Sequence, residues 1–224
     1  MNTLRIVIQL AAMPLPWALR RCVLNKLLGF EITSSAWIGY SILNVKKLKM
    51  SEGSRIGHLT YAKGLTELRL ESFAILGNLN WITGFPNDDA RAFSADVDRH
   101  PALLIGTHSA ITSRHLIDCT NEVSIGAYTT VAGWRTQIVT HGIDLTLSRQ
   151  TSKPVVIGSY CFVGTGSILL KGSRLPDRSV LSAGSVLLAQ ENEEYALYSG
   201  VPARKVRDLA PDSAYFTRQE GIVA

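Results

Sequence analysis

Six aliphatic residues near the C-terminus, Ile157, Val163, Leu169, Leu175, Leu181 and Leu187, follow one another at intervals of six. Four residues after the first five come Cys161, Ser167, Ser173, Ser179 and Ser185, so a small side chain keeps the same beat. A helix repeats its apolar positions about every 3.6 residues and a half-buried strand every second one, so a period of six belongs to neither alone. It suits a solenoid whose flat faces are one hexapeptide long, with the aliphatic in the bore and a small residue near each corner. The beat recurs from Ile32 through Ile38, Asn44, Met50, Ile56, Ala62, Leu68 and Ala74, with Asn44 a visible fault. It recurs again at Ile105, Ile111, Ile117 and Val123, followed by a shifted frame at Ile125 and Val131. Two stretches leave the rhythm, residues 83–101 and 139–153.

The expected organisation is therefore a helical segment over 1–30, an all-β solenoid over 31–189 and a short C-terminal tail over 190–224. At 224 residues the chain is long enough to bury a good core. Its three cysteines, Cys22, Cys119 and Cys161, have no CxxC spacing, which argues against a disulfide framework or a thiolate zinc site and for a reducing cytoplasm. A net charge of +5 fits an anionic ligand or an anionic membrane face. The basic residues are scattered and do not interleave with aromatics, so no nucleic-acid partner is expected.

The first thirty residues read as helical, split by Pro14 and Pro16. The uncharged run from Ile6 to Leu19 is shorter than the roughly twenty residues a bilayer span needs. Two roles are open and compatible. One is a cap over the end of the solenoid. The other is an interfacial helix that turns Arg5, Arg20, Arg21 and Lys26 to anionic headgroups at the inner face of a membrane. Segment 83–101, rich in Pro, Asp, Asn and Arg, is expected to leave the solenoid as a loop or short helix.

The second interruption, Val139-Thr140-His141-Gly142-Ile143-Asp144 onward to Lys153-Pro154, runs into Val156-Ile157-Gly158. After it come Phe162-Val163-Gly164-Thr165-Gly166-Ser167, then Val180 to Val186 with Ala183 and Gly184, then Gly200-Val201-Pro202-Ala203-Arg204-Lys205-Val206-Arg207. This ordered set resembles the hexapeptide-repeat acyltransferases, in particular the sugar O-acetyltransferases of capsular and colanic-acid type. The resemblance covers residues 131–209 through these motifs and reaches back to about residue 31 through weaker repeats. It implies a left-handed parallel β-helix and a homotrimer with each active site between two subunits. It further implies acetyl-CoA as acyl-donor substrate, a sugar or polysaccharide precursor as acceptor, and no bound cofactor or metal. His141, thirteen residues before Pro154, occupies the place of the family's catalytic base. Phe162 stands where a tryptophan is more usual. Ala183 and Gly184 lie on the coil along which coenzyme A runs.

Chemistry supports those residue types. A hydroxyl attacking a thioester needs a base that works near neutrality, which suits histidine. A glycine-rich coil exposes backbone N–H groups, making Thr165 and Gly166 candidates for the oxyanion. Asp144 either orients the imidazole or is a solvated loop carboxylate. Counting in sixes puts His115 and Arg135 in slots that elsewhere hold Ser or Thr, and buried bulky polar groups need partners. His115, Asp118 and Arg135 therefore form either an acceptor-binding wall or a local irregularity. Trp134 is expected to stack on a sugar or to lie at a trimer contact. Arg204, Lys205 and Arg207 suit the phosphates of coenzyme A, with Arg207 the best placed, unless Glu191, Glu193 and Glu194 pair with them. Two other readings share the architecture. One is a γ-class carbonic anhydrase-like metalloenzyme, whose two histidines five residues apart have no counterpart among His58, His100, His108, His115 and His141. The other is a non-catalytic scaffold, which would have no use for the His141 loop.

Overall fold

In a computed structural model, residues 3–87, 93, 96, 98–188, 190–221 and 223 are described, and the chain winds as a parallel β-helix. Each coil lays one short strand on each of three parallel sheets, here called the first, second and third faces. Seven strands stack on the first face, from Glu31–Ile32 to Arg174–Leu175, and seven on the third, from Ile42–Asn44 to Val186–Leu187. The second face has nine, because Ala196–Gly200 joins it beside Val180–Leu181 and Ala203–Asp208 folds back antiparallel. The expected C-terminal tail thus contains a hairpin. It ends in a short helix, Ala214–Thr217, whose Tyr215 ring meets Phe162 edge-on.

One inward aliphatic per strand fills the bore: Ile38, Ile56, Leu76, Ile111, Val131, Val163 and Leu181 on the second face are all buried. The frame shifts have a simple cause. On the first face Leu48 and Met50, Leu68 and Leu70, Leu103 and Ile105, and Val123 and Ile125 all point inward as pairs two residues apart. These longer strands stretch a coil from eighteen residues, as between Ile157 and its partner Leu175, to twenty, as between Ile105 and its partner Ile125. At the fault, the inward residue is Leu43, one place before Asn44, and it pairs with Ala62.

Corner residues tie coil to coil. Thr60 Oγ1 donates to the Gly77 carbonyl at 2.8 Å and Thr129 Oγ1 to the Gly158 carbonyl at 2.6 Å, so these buried hydroxyls are satisfied. At the corner between first and second faces, Phe73, His108, Tyr128 and Tyr160 stack in sequence, with ring centroids 4.9, 5.0 and 4.8 Å apart. That is the spacing of adjacent β-strands, so each coil contributes one ring to the ladder.

Helices α1 (Thr3–Ala12) and α2 (Trp17–Leu28) cover the open end. An open solenoid end presents unpaired backbone N–H and C=O groups. Gln9 answers two of them, donating to the Leu43 carbonyl and accepting from its N–H, while Arg5 reaches the Leu28 and Lys46 carbonyls. Arg20 donates to the carbonyls of Ile38 and Gly39, and Arg21 and Asn25 to that of Ile32. Arg5, Arg20 and Arg21 therefore serve the cap and do not face outward to headgroups. No helix among the described residues is long and apolar enough to cross a membrane.

Both interruptions leave at the corner where the third face returns to the first. The first follows Trp81–Thr83, and part of it, residues 88–92, 94, 95 and 97, lies outside the described residues. The second is a two-stranded antiparallel hairpin, His141–Asp144 against Arg149–Ser152.

Candidate active site

Asp118 ends the strand Leu116–Asp118, and Thr140 follows the strand Gln137–Val139 stacked on it. The stacking brings residues twenty-two apart into contact: Thr140 donates to Asp118 Oδ2 through its backbone N–H and its hydroxyl, each at 2.8 Å. His141, the first residue of the hairpin, presents Nδ1 to the same oxygen at 2.7 Å. Thr120 supplies Oδ1 with a hydroxyl at 2.6 Å and a backbone N–H at 3.1 Å. Burial pushes the Asp118 carboxyl up, but the hydrogen bonds from His141 and Thr120, the charge of His141 and the bond from Thr140 outweigh it and hold the group below its usual range. An ionised carboxylate only accepts, so the His141 nitrogen facing it carries a proton, and in the neutral ring the lone pair is then on Nε2.

The first interruption walls this pair. Phe85 and Phe93 meet the imidazole edge-on, at centroid distances of 5.7 and 6.0 Å. Arg99, itself buried, holds the rings in place. Its guanidinium lies 4.5 Å from the Phe93 centroid and donates to the main-chain carbonyls of Phe85, Pro86 and Thr120. Asp96 then joins the two interruptions, accepting from the Ser152 N–H and hydroxyl at 2.6 Å each.

Several expected site residues sit elsewhere. Asp144 does not orient His141. It lies three residues along the same strand, about 10 Å away and on the opposite side of the pleat, where it accepts from the Leu147 N–H at the hairpin turn. The carboxylate that faces the imidazole is Asp118, expected from the sequence on an acceptor-binding wall. His115 is buried and is no part of a surface wall. Its Nδ1 accepts from the Thr136 N–H at 3.1 Å, its Nε2 meets Thr112 Oγ1 at 2.9 Å, and burial lowers its pKa to about 4. Arg135 is not in a corner slot either. The corner from Val131 to Ile138 is one residue longer than usual, so Thr136 fills the slot and Arg135 is exposed.

A second group lines the corner between second and third faces. Thr165 Oγ1 exchanges hydrogen bonds with the backbone of exposed Trp134, the Gly184 N–H donates to Thr165, and the Gly200 N–H donates to Ser185 Oγ. At this corner each coil after the first has a positive-φ residue: Leu59, Leu79, Arg114, Arg135, Gly166 and Gly184 in order. The first four show that side chains are accommodated there. Gly166 and Gly184 leave the backbone bare, with nothing within 4 Å of where a Cβ would stand. Ala183 precedes the second glycine on the same turn, and Arg204, opposite Ser199, lies two strands over. Arg207 is opposite Leu197, three residues further along the strand. Lys205 pairs with Glu193 at 2.5 Å and Asp208 at 2.7 Å. Phe162 is on the outer second face, against Tyr215, away from this corner. His141 and Thr165 thus stand at opposite edges of the third face, which is on the order of 15–20 Å across. Among the described residues no three His, Cys, Asp or Glu side chains group as metal ligands would.

No family model matches the sequence, and no curated protein does. Solved structures do. The polysialic acid O-acetyltransferase OatWY superposes with a TM-score of 0.60 at 16% identity, over 80% of this chain and 84% of that one. The polySia-specific acetyltransferase NeuO gives 0.53 at 15% identity, over 80% of each chain. At these identities the likeness is one of fold: the protein is a hexapeptide-repeat parallel β-helix of the kind those two proteins adopt.

Proposed function

We propose that the protein is a coenzyme A-dependent O-acetyltransferase that moves an acetyl group from acetyl-CoA to a hydroxyl of a sugar or polysaccharide precursor in the cytoplasm. The observation that carries this reading is the Asp118–His141 pair at the root of the hairpin, with no hydrogen-bond partner at Nε2 among the described residues. Nε2 takes the proton of the acceptor hydroxyl as its oxygen attacks the thioester carbonyl. The tetrahedral intermediate collapses with the C–S bond breaking, and the imidazolium returns the proton to the departing thiolate. Acetyl ester and free coenzyme A are the products. Asp118 holds the ring in one tautomer and favours the imidazolium as it forms. Phe85 and Phe93 shield one side of the ring from water.

The bare backbone at Gly166 and Gly184 suits the pantetheine arm, and the backbone N–H groups there suit a developing oxyanion. Within one chain this track and His141 are too far apart to meet on one acetyl group. A ring of copies solves this by setting the His141 corner of one beside the glycine corner of the next, and a homotrimer is the closure proposed here. The hairpin tip supports it: Ile143, Leu145 and Leu147 are exposed and apolar, a surface that a neighbouring copy would cover. Thiol release from acetyl-CoA across a panel of free, nucleotide-linked and lipid-linked sugars tests the activity. Turnover with no member of the panel, or turnover unchanged in His141→Ala, would refute it.

A further inference from the structure

The cap packs Leu24 and Leu28 of α2 into the core, with Ile8 and Trp17 against it, yet carries apolar side chains on its outer side as well. Along α1 the polar Arg5 and Gln9 and the small Ala12 face the solenoid, because the open strand edges need hydrogen-bond partners. The apolar stripe is thereby turned outward: Leu4, Val7 and Leu10 are 64, 53 and 48% exposed. On α2, Leu19 and Leu27 are 58 and 63% exposed, and Leu15 on the connection between the helices is exposed as well. Such a contiguous apolar surface on one end of a molecule calls for an occupant.

Charge identifies it. Residues 1–49 hold seven Lys and Arg against the single acid Glu31, a net +6. The whole chain is +5, so residues 50–224 together are net −1. Of those seven basic residues, Arg5, Arg20 and Arg21 hold backbone carbonyls under the cap, while Lys26, Lys47 and Lys49 are exposed at this end of the molecule. A second copy of this basic end offers no matching negative field, whereas an anionic bilayer offers both an apolar interior and a negative surface. The helices, ten and twelve residues long, are too short to span it and suit lying in its interface.

We infer that the capped end docks on an anionic lipid bilayer, with α1 embedding Leu4, Val7 and Leu10 and the solenoid standing upright on the membrane. His141 is then four coil rises above the first coil, about 20 Å at the strand spacing, plus the thickness of the cap. The contact is independent of the chemistry proposed above.

The test is co-sedimentation of the full chain with phosphatidylcholine vesicles and with vesicles in which about a third of the lipid is phosphatidylglycerol. Wild type is expected to sediment with the anionic vesicles, less with the neutral ones, and less as salt is raised. The triple variant Leu4→Gln, Val7→Gln, Leu10→Gln alters only outward side chains, and is expected to lower partitioning by about tenfold or more. Its transfer to a water-soluble acceptor should match wild type, so a fault in the catalytic reading shows separately. Wild type left in the supernatant, or a triple variant that sediments equally, overturns the inference. So does a triple variant whose mass by light scattering, without lipid, falls below that of wild type, since a second copy would then be the occupant.

Discussion

Asp118 Oδ2 and His141 Nδ1 lie 2.7 Å apart although twenty-three residues separate them, because the winding of one coil sets the end of one third-face strand under the start of the hairpin. In the reaction proposed above the pair divides into a base and the group that orients it, and the two should fail differently. His141→Ala is expected to lower transfer by about a hundredfold or more, the usual share of a general base. Asp118→Asn keeps the shape but loses the carboxylate, and should lower kcat by roughly tenfold or more while leaving KM for acetyl-CoA near wild type. Steady-state rates at saturating and at limiting acetyl-CoA check both.

His115 supplies an acid-stability prediction. Its Nδ1 faces the Thr136 N–H, so protonation would place two donors face to face, and burial lowers the pKa from 6.5 to about 4. Between those values the unfolded chain binds a proton that the folded one refuses, so stability is full above the unfolded value and falls as pH drops through the window. His115→Asn, which places at this corner the residue that Asn80 supplies one coil earlier, should flatten Tm against pH between about 6.5 and 4. A variant with the same slope as wild type would show that His115 does not set it.

The bare corner can be filled on purpose. Leu79 holds at its coil the same positive φ that Gly166 holds at its own, so Gly166→Leu is accommodated at a local conformational penalty of about 1 kcal/mol. It should raise KM for acetyl-CoA tenfold or more if the donor lies there. Neither His141→Ala nor Gly166→Leu alone should turn over well. Mixed oligomers assembled from both are expected to recover activity, since some interfaces then pair an intact His141 with an intact glycine track. Mixtures as inactive as their parents would place the whole site on one chain.

Phosphate recognition is now expected at Arg204 ahead of Arg207. Arg204 lies opposite Ser199, next to the Gly200 turn, whereas Arg207 is about 10 Å further along the strand. Lys205 is already engaged by Asp208 and Glu193, whose hydrogen bonds raise its pKa. Arg204→Ala should raise KM for acetyl-CoA severalfold and reduce the preference over 3′-dephospho-coenzyme A, and Arg207→Ala should do neither.

The bore was readable because a single inward side chain per hexapeptide leaves a direct trace, as at Val163, Leu169 and Leu175. Coil length was not, since it varies with the paired inward residues on the first face. Without it, Asp118 could not be set beneath His141; counting in coils of about twenty residues, in place of sixes, would have brought Asp118 alongside the Val139–His141 stretch. Asp144 misled because a loop allows a three-residue approach that the strand pleat forbids. The spacing of Leu4, Ile8 and Ala11 gave the helix but not its facing. That depends on the hydrogen-bonding needs of Ile38, Leu43 and Lys46, which no local pattern records.

Both long departures from the solenoid emerge at one corner, after Thr83 and after Val139, and the coils above and below them close as though nothing had intervened: Leu103 still pairs with Leu68, and Val155 with Val123. Segment length at that corner is therefore uncoupled from the architecture. New walls and arms around His141 can be lengthened, exchanged or recombined between homologous chains without renegotiating the stack, which makes this one edge the natural locus of divergence in acceptor choice and the place to graft a new specificity.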